Sequence, residues 1–331
     1  MPSSGVAKRL SLVVAGALFA LLIGGFVVGA IGSAIFNTPR LLPKPEVHLP
    51  IQPVFPSDVR EKHIHIEDDS GGHGDNHSGK ETDHKAEVKP LGLFDFAITN
   101  SMLSSWFASV VLISIFVIGA SRKKIVPGRL QNLVEIIVEG LSTFVEGVVG
   151  REMSRKVFPV IATIFLFVLF NAWLALLPFY PSLGFLDSDG NMKVHLFRSA
   201  GTDLNMPLAL ALVSFFFVEY WGVRARGLAY FSKFLPLGKL VRKGPSALID
   251  LFVGLLEAIS EMVRIVSFTF RLFGNMTAGE ILVVMIAFLV PFVALQFVYG
   301  LELLVGLVQA LIFAGLTLVF VAVAVTHEED H

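Results

Sequence analysis

Six stretches of this sequence are apolar over lengths that cross a bilayer, and that pattern leaves few folds open. A spanning helix needs about 20 such residues. In hydrocarbon only helices and closed barrels satisfy their own backbone polar groups. Ser11 to Phe36 carries no charge and follows Lys8 and Arg9. Phe96 to Ser121 is charge-free and closes on Arg122, Lys123 and Lys124. Val157 to Leu186 is the third run, and Leu204 to Val218, ended by Glu219, is the fourth. Two more lie between Ser246 and Thr326. The chain has 331 residues, of which 54% are hydrophobic and 16% charged, against about 25% charged in a soluble domain. The reading is an all-α polytopic membrane protein of about six transmembrane helices, the last two forming a long, tilted C-terminal helical hairpin. Net charge is −1, which gives a nucleic-acid partner no electrostatic support. Without cysteine, thiolate chemistry and disulfides are excluded.

Six crossings put both termini on one side. Lys8 and Arg9, the cluster Arg122 to Arg129, and the block Arg224 to Lys243 then share a face, which the positive-inside rule makes cytoplasmic. The other face receives Asn37 to Asp95, Pro181 to Asp203 and the turn near Pro291. A secretory signal has an apolar core of about 7–15 residues, shorter than the first run, so a retained anchor over 1–36 is expected. The region 37–95 is expected as a flexible external loop, and 96–331 as the main membrane domain. Pro39 to Lys89 holds His63, His65, His73, His77 and His84. Their spacing matches no ordered ligand motif, so a solvated loop is favoured over a metal site. In Arg129 to Gly150, Leu130, Leu133, Val134, Ile137, Leu141, Phe144, Val145 and Val148 recur at helical spacing. This predicts an amphipathic helix, either at the cytoplasmic interface or as a packed connector.

Arg271 stands in the apolar run Ser267 to Glu280. A guanidinium at the bilayer centre costs from about 2.5–3.5 kcal/mol on insertion scales to ~10–17 in simulations, and arginine does not shed its proton in proteins. Such a residue needs a partner and marks an ion pathway. Placed on one helix at about 100° per residue, Glu257, Ser260, Arg264, Ser267 and Asn275 fall within roughly 40° of Arg271, a polar stripe ~27 Å long. Glu280 falls about 180° away and must face another helix. Glu302 and Gln309 share a face of the last span, and Asp203 opens the fourth. These groups are expected to line a second polar cavity. Glu219 and Glu261 are expected at the cytoplasmic border, solvated or snorkelling. Mutual ion pairs that only fix helix packing are the bland alternative.

Arg271-Leu-Phe-Gly-Asn275-Met-Thr-Ala-Gly-Glu280 closely resembles the signature of subunit a of the F-type rotary ATP synthase. Gly201-Thr-Asp203-Leu-Asn205, Leu256-Glu257-Ala258-Ile259-Ser260 and Val308-Gln309-Ala310 are similar to further segments of that family. The resemblance covers about Leu93 to the C-terminus and leaves Met1 to Pro90 outside. It implies a non-catalytic, proton-translocating stator subunit without cofactor, a partner of a c-ring of proteolipid subunits and of b-type peripheral stalk subunits in a hetero-oligomer set among membrane lipids. Arg271 matches the family's essential arginine, and Glu280, Gln309, Asn275 and Glu257 match positions linked to proton access. Glu302 stands where some members carry histidine. The implied half-channels are Glu280, Glu302, Asp203 and Gln309 on the external side, and Glu257, Ser260 and Ser267 on the cytoplasmic side. The implied location is the bacterial plasma membrane. The chain has no phosphate-cradling glycine loop, so nucleotide chemistry is expected on partner subunits. The competing readings are a secondary transporter with Arg271 at its substrate site, although no internal repeat supports it, and a purely structural membrane scaffold.

Overall fold

The computed structural model describes residues 4–36, 53–55, 97–121, 128–186, 192–227, 230 and 247–326. Helix α1 (Ser4–Val28) is followed by α2 (Ala30–Phe36), with a bend at Gly29. Strand β1 (Pro53–Phe55) pairs antiparallel with β2 (Ile98–Thr99), which leads into α3 (Asn100–Ser121). Next come α4 (Arg129–Ala175), the short α5 (Phe179–Ser182), the hairpin β3 (Gly184–Leu186) and β4 (Met192–His195), and a 3-10 turn at Ala200–Thr202. Helices α6 (Asn205–Arg226), α7 (Ala247–Leu289) and α8 (Val293–Thr326) complete the chain. Helices α3, α4, α6, α7 and α8 are long and apolar enough to cross a membrane, and α1 adds the shorter apolar stretch Leu12–Val28. The chain is an all-α polytopic membrane protein.

Several expectations need correction. The third run does not continue helical to Leu186. It ends at Ala175, because the segment that follows, Leu177-Pro178-Phe179-Tyr180-Pro181, breaks the helical ladder twice with proline. At its other end α4 reaches back to Arg129 through a kink at Gly150, whose φ of 77° and ψ of 165° suit only glycine. The amphipathic segment and the third span thus meet at one glycine. Val134, Leu141 and Val145 of that segment are buried, while Leu133 and Ile136 remain exposed. The loop 37–95 was expected to be flexible throughout, yet Pro53–Phe55 is docked as a strand with Val54 fully buried. Its histidines lie outside the described residues. Helix α7 runs unbroken through Gly274 and Gly279.

Helices α4, α6, α7 and α8 enclose one core. Val157, Ile161, Phe165 and Val168 of α4 meet Ala211 and Val218 of α6, Phe268 and Leu272 of α7, and Phe313, Leu318 and Val321 of α8. Phe268 stacks at a tilt on Phe313, ring centroids 5.0 Å apart. Lipid is as apolar as leucine, so polar and small contacts must specify helix pairing. Two such contacts recur here. The Ser214 and Thr317 hydroxyls are 2.7 Å apart between α6 and α8, both buried. Trp173 Nε1 donates to the Leu303 carbonyl at 2.9 Å, joining α4 to α8. Gly25 of α1 and Gly29 at the bend lie against the turn between α7 and α8, where a methyl would overlap the Pro291 and Leu289 carbonyl oxygens. That turn holds Phe292 at φ 72°, a left-handed conformation costly for a bulky residue. Much of α7 is uncovered by the rest of the chain, with Phe252, Val253, Met262, Val263 and Phe270 all exposed.

Candidate functional site

Helix α7 carries its polar groups in three environments. Arg271 projects from the uncovered face. Its guanidinium carbon lies 5.9 Å from the Phe268 ring centroid, and among the described residues no carboxylate comes within ion-pair distance of it. Glu257, Ser260 and Ser267 are exposed on the same helix. The expected stripe is therefore present as a surface feature only in part, with Asn275 half-buried and turned toward α8 and one further member removed.

That member is Arg264. It turns inward between α6 and α8, pairs with Glu261 one turn before it and with Glu219 of α6 at 3.8 Å, and lies over the Phe320 ring at 4.4 Å. Its side chain and those of both acids are only 12–13% exposed. Tyr230 donates to Glu219 Oε1 at 3.2 Å. Glu219 and Glu261, expected to be solvated or snorkelling, are thus largely buried and ion-paired. The seven residues between Arg264 and Arg271 set their directions about 20° apart, and the long stem of Arg264 carries its guanidinium to the two acids.

The third environment is a cavity of about 230 Å³ between α4, α7, α8 and the segment that precedes α6. Glu280 and Glu302 both line it, whereas Gln309 and Asp203, expected beside them, do not. Glu302 lies against the backbone of α7 at Gly279, where a Cβ would stand 2.7 Å from its Cδ. Glu280 pairs with Arg198, Nε to Oε1 at 3.4 Å. Asn100, Tyr180, His195 and Tyr299 also line the space. Burial pushes the Tyr180 phenol up to about 12, offset in part by its hydrogen bond with Ser104, so it lines the wall as a neutral group. Deeper, Asn275 Nδ2 donates to Gln309 Oε1 at 3.3 Å, and Gln309 is 3% exposed. The two residues were expected in different zones, and the structure joins them.

Asp203 belongs elsewhere. It is buried, accepts a 2.6 Å hydrogen bond from Ser101 and a 2.9 Å bond from the Asn205 amide, and does not line the cavity. Its carboxylate takes up one of the open backbone N–H groups at the start of α6 and ties that end to α3 through Ser101. Arg198 and Asn100 escaped the sequence reading. Arg198 was visible as one of two cations, with Lys193, in the external segment, but nothing in the spacing pointed it at Glu280.

Residues 102–322 match the family model described as ATP synthase A chain. The chain is similar to ATP synthase subunit a of Sulfurihydrogenibium sp. (strain YO3AOP1), 34% identical over 221 residues that span 66% of this chain and 94% of that protein. It is 31% identical to ATP synthase subunit a of Helicobacter acinonychis over 240 residues, 71% of this chain and 95% of the relative. The counterpart of Nitratidesulfovibrio vulgaris (strain DP4) is 34% identical over 223 residues, covering 67% and 84%. With the signature on α7 standing within the matched segment, the chain belongs to the ATP synthase A chain family, as a subunit a of the F-type enzyme.

Proposed function

We propose that this chain is the proton-conducting stator against which a ring of c subunits turns, and that Arg271 is its electrostatic gate. The observation that carries the reading is a contrast between arginines. Arg264 and Arg198 each pair with a carboxylate of this chain, whereas Arg271 stands on an uncovered apolar face with none among the described residues. A cation at membrane depth demands a counter-charge, and a passing ring carboxylate supplies one. At ~4 Å and an effective dielectric near 20 the attraction is about 4 kcal/mol, about three pKa units in favour of the ring's anion. Facing lipid, the same ring carboxylate takes its proton back through desolvation. Each proton that completes the passage falls through about 2.3 kcal/mol per 100 mV.

The external half-channel is the cavity of Glu280 and Glu302, continued toward Arg271 by Gln309 and Asn275. The cytoplasmic one follows Glu257, Ser260 and Ser267 along the uncovered face. Residues 1–36 anchor the chain, b-type stalk subunits hold it, and both termini face the cytoplasm of a bacterial plasma membrane. Nucleotide chemistry belongs to other subunits. The test is Arg271→Ala in the complete enzyme in proteoliposomes. Assembly is expected to survive and gradient-driven ATP synthesis to vanish. Near-normal coupled synthesis would refute the gate.

A further inference from the structure

We infer that Asn100 is a water-ordering residue of the cavity that holds Glu280 and Glu302, an assignment that rests on reading that cavity as the external half-channel. Asn100 opens α3 directly after β2 and stands ahead of the segment 102–322 matched by the family model. Its side chain is 1% exposed. Its backbone carbonyl accepts a hydrogen bond from Ser104 at 3.0 Å, yet neither Oδ1 nor Nδ2 meets a protein partner. Leaving a buried polar group in that state costs about 1–3 kcal/mol, so the fold tolerates it only where something else bonds the carboxamide.

The surroundings say what that is. Asn100 borders the 230 Å³ cavity together with Tyr180, His195, Arg198, Glu280, Tyr299 and Glu302. At about 30 Å³ per molecule, the space has room for several waters. A bound water needs two to four polar partners, and Tyr180, His195, Arg198, Glu280, Tyr299 and Glu302 supply them in an otherwise apolar wall. A carboxamide donates two hydrogen bonds and accepts others without ionising. It therefore orients neighbouring waters without itself trapping the proton in transit, and leaves that exchange to Glu280 and Glu302. The ion pair of Arg198 with Glu280 keeps one acid at the wall.

The experiment measures proton conduction from the external side of the assembled enzyme in proteoliposomes. Asn100→Leu, close in size and unable to hydrogen-bond, is expected to slow conduction about tenfold, the equivalent of about 1.4 kcal/mol. Asn100→Ser, which keeps a hydroxyl and admits one more water, is expected to restore most of the rate. Asn100→Asp places a titratable group in the cavity wall and is expected to change the pH profile of conduction, which a mere loss of packing would not do. Should Asn100→Leu prevent assembly, the serine and aspartate variants carry the test. Wild-type conduction in Asn100→Leu, a serine variant as slow as the leucine one, or an aspartate profile superimposable on wild type would overturn the inference. Glu280→Gln is measured alongside. If it too conducts normally, the reading of the cavity as half-channel is what fails. If it is slow while Asn100→Leu is normal, only the role of Asn100 fails.

Discussion

Gly279 offers a substitution whose effects on stability and on transport have opposite signs. It sits inside α7, where alanine is the better helix former by about 0.5–1 kcal/mol. Its φ is ordinary, since only Gly150 and Gly227 among the described glycines are left-handed. Gly279→Ala should therefore stabilise the helix. But the new methyl would overlap Glu302 Oε2 and stand 2.7 Å from its Cδ. Ordinary carbon contacts begin near 3.5 Å, so the carboxylate must retreat by roughly 1 Å. A misplacement of that size in a reacting group costs up to about 10²-fold in rate. We expect passive proton conduction through the membrane sector, followed by a pH-sensitive dye in vesicles, to fall between tenfold and a hundredfold while the complex melts no earlier than wild type. Gly300→Ala is the control, because that position lies two residues from Glu302 and a methyl there meets nothing within 4 Å. It should gain the helix propensity and keep the flux. Glu302→Asp, shorter by one methylene, should recover part of the flux in the Gly279→Ala background. Wild-type conduction in Gly279→Ala, with Glu302 shown to have moved, would remove Glu302 from the path.

Two further predictions concern packing. Thr317 donates to the Phe313 carbonyl at 2.8 Å, so Ser214 must be the donor in their 2.7 Å contact. Ser214→Ala or Thr317→Val alone should cost about 0.5–1.5 kcal/mol each, the double change less than their sum, and a double-mutant cycle on detergent-induced unfolding would read the coupling; strict additivity would deny the bond any weight. Arg264→Met removes the arginine from beside the buried Glu219 and Glu261, a loss of up to about 3–5 kcal/mol that should lower the melting temperature of the complex. Adding Glu261→Gln should recover part of it, and an unchanged melting temperature in the single variant would mean that the cluster is solvated after all.

The legible parts of this fold were those set by length and hydropathy. The long helices were readable because the bilayer forces each apolar run of sufficient length into one of two structures. The opposed directions of Arg271 and Glu280 followed from helix geometry alone, and the structure keeps them apart, one on the open face and one in a cavity. What failed were inferences about where long or polar side chains go. Arg264 has the same angular address as the stripe, but its reach lets it choose the opposite side. Asp203 reads as a membrane acid in sequence, yet it turns to Ser101 of α3 and to the Asn205 amide at the start of α6, partners that are recognised only once the two helices are in place. Arg198 and Asn100 enter the cavity from segments about 80 and 180 residues before Glu280, separations over which no periodicity carries information.

The lengths of the last two helices bear on why two polar zones can coexist. Helix α7 has 43 residues, roughly 65 Å of rise, against a hydrocarbon thickness of about 30 Å. Standing along the membrane normal it would expose one or both ends far into water, yet exposed apolar side chains run along it from Ile249 to Met285. It must lie strongly oblique, beyond the usual tilt of about 20°. An oblique helix converts separation along its axis into separation across the plane of the membrane. Glu257 and Glu280, about 21 Å before and about 14 Å after Arg271 along the axis, are then offset sideways as well as in depth. Two water-accessible zones on opposite sides of the arginine can each open to their own surface and remain apart. An upright helix of ordinary length would stack them in one column, where a single file of water would join them and discharge the gradient.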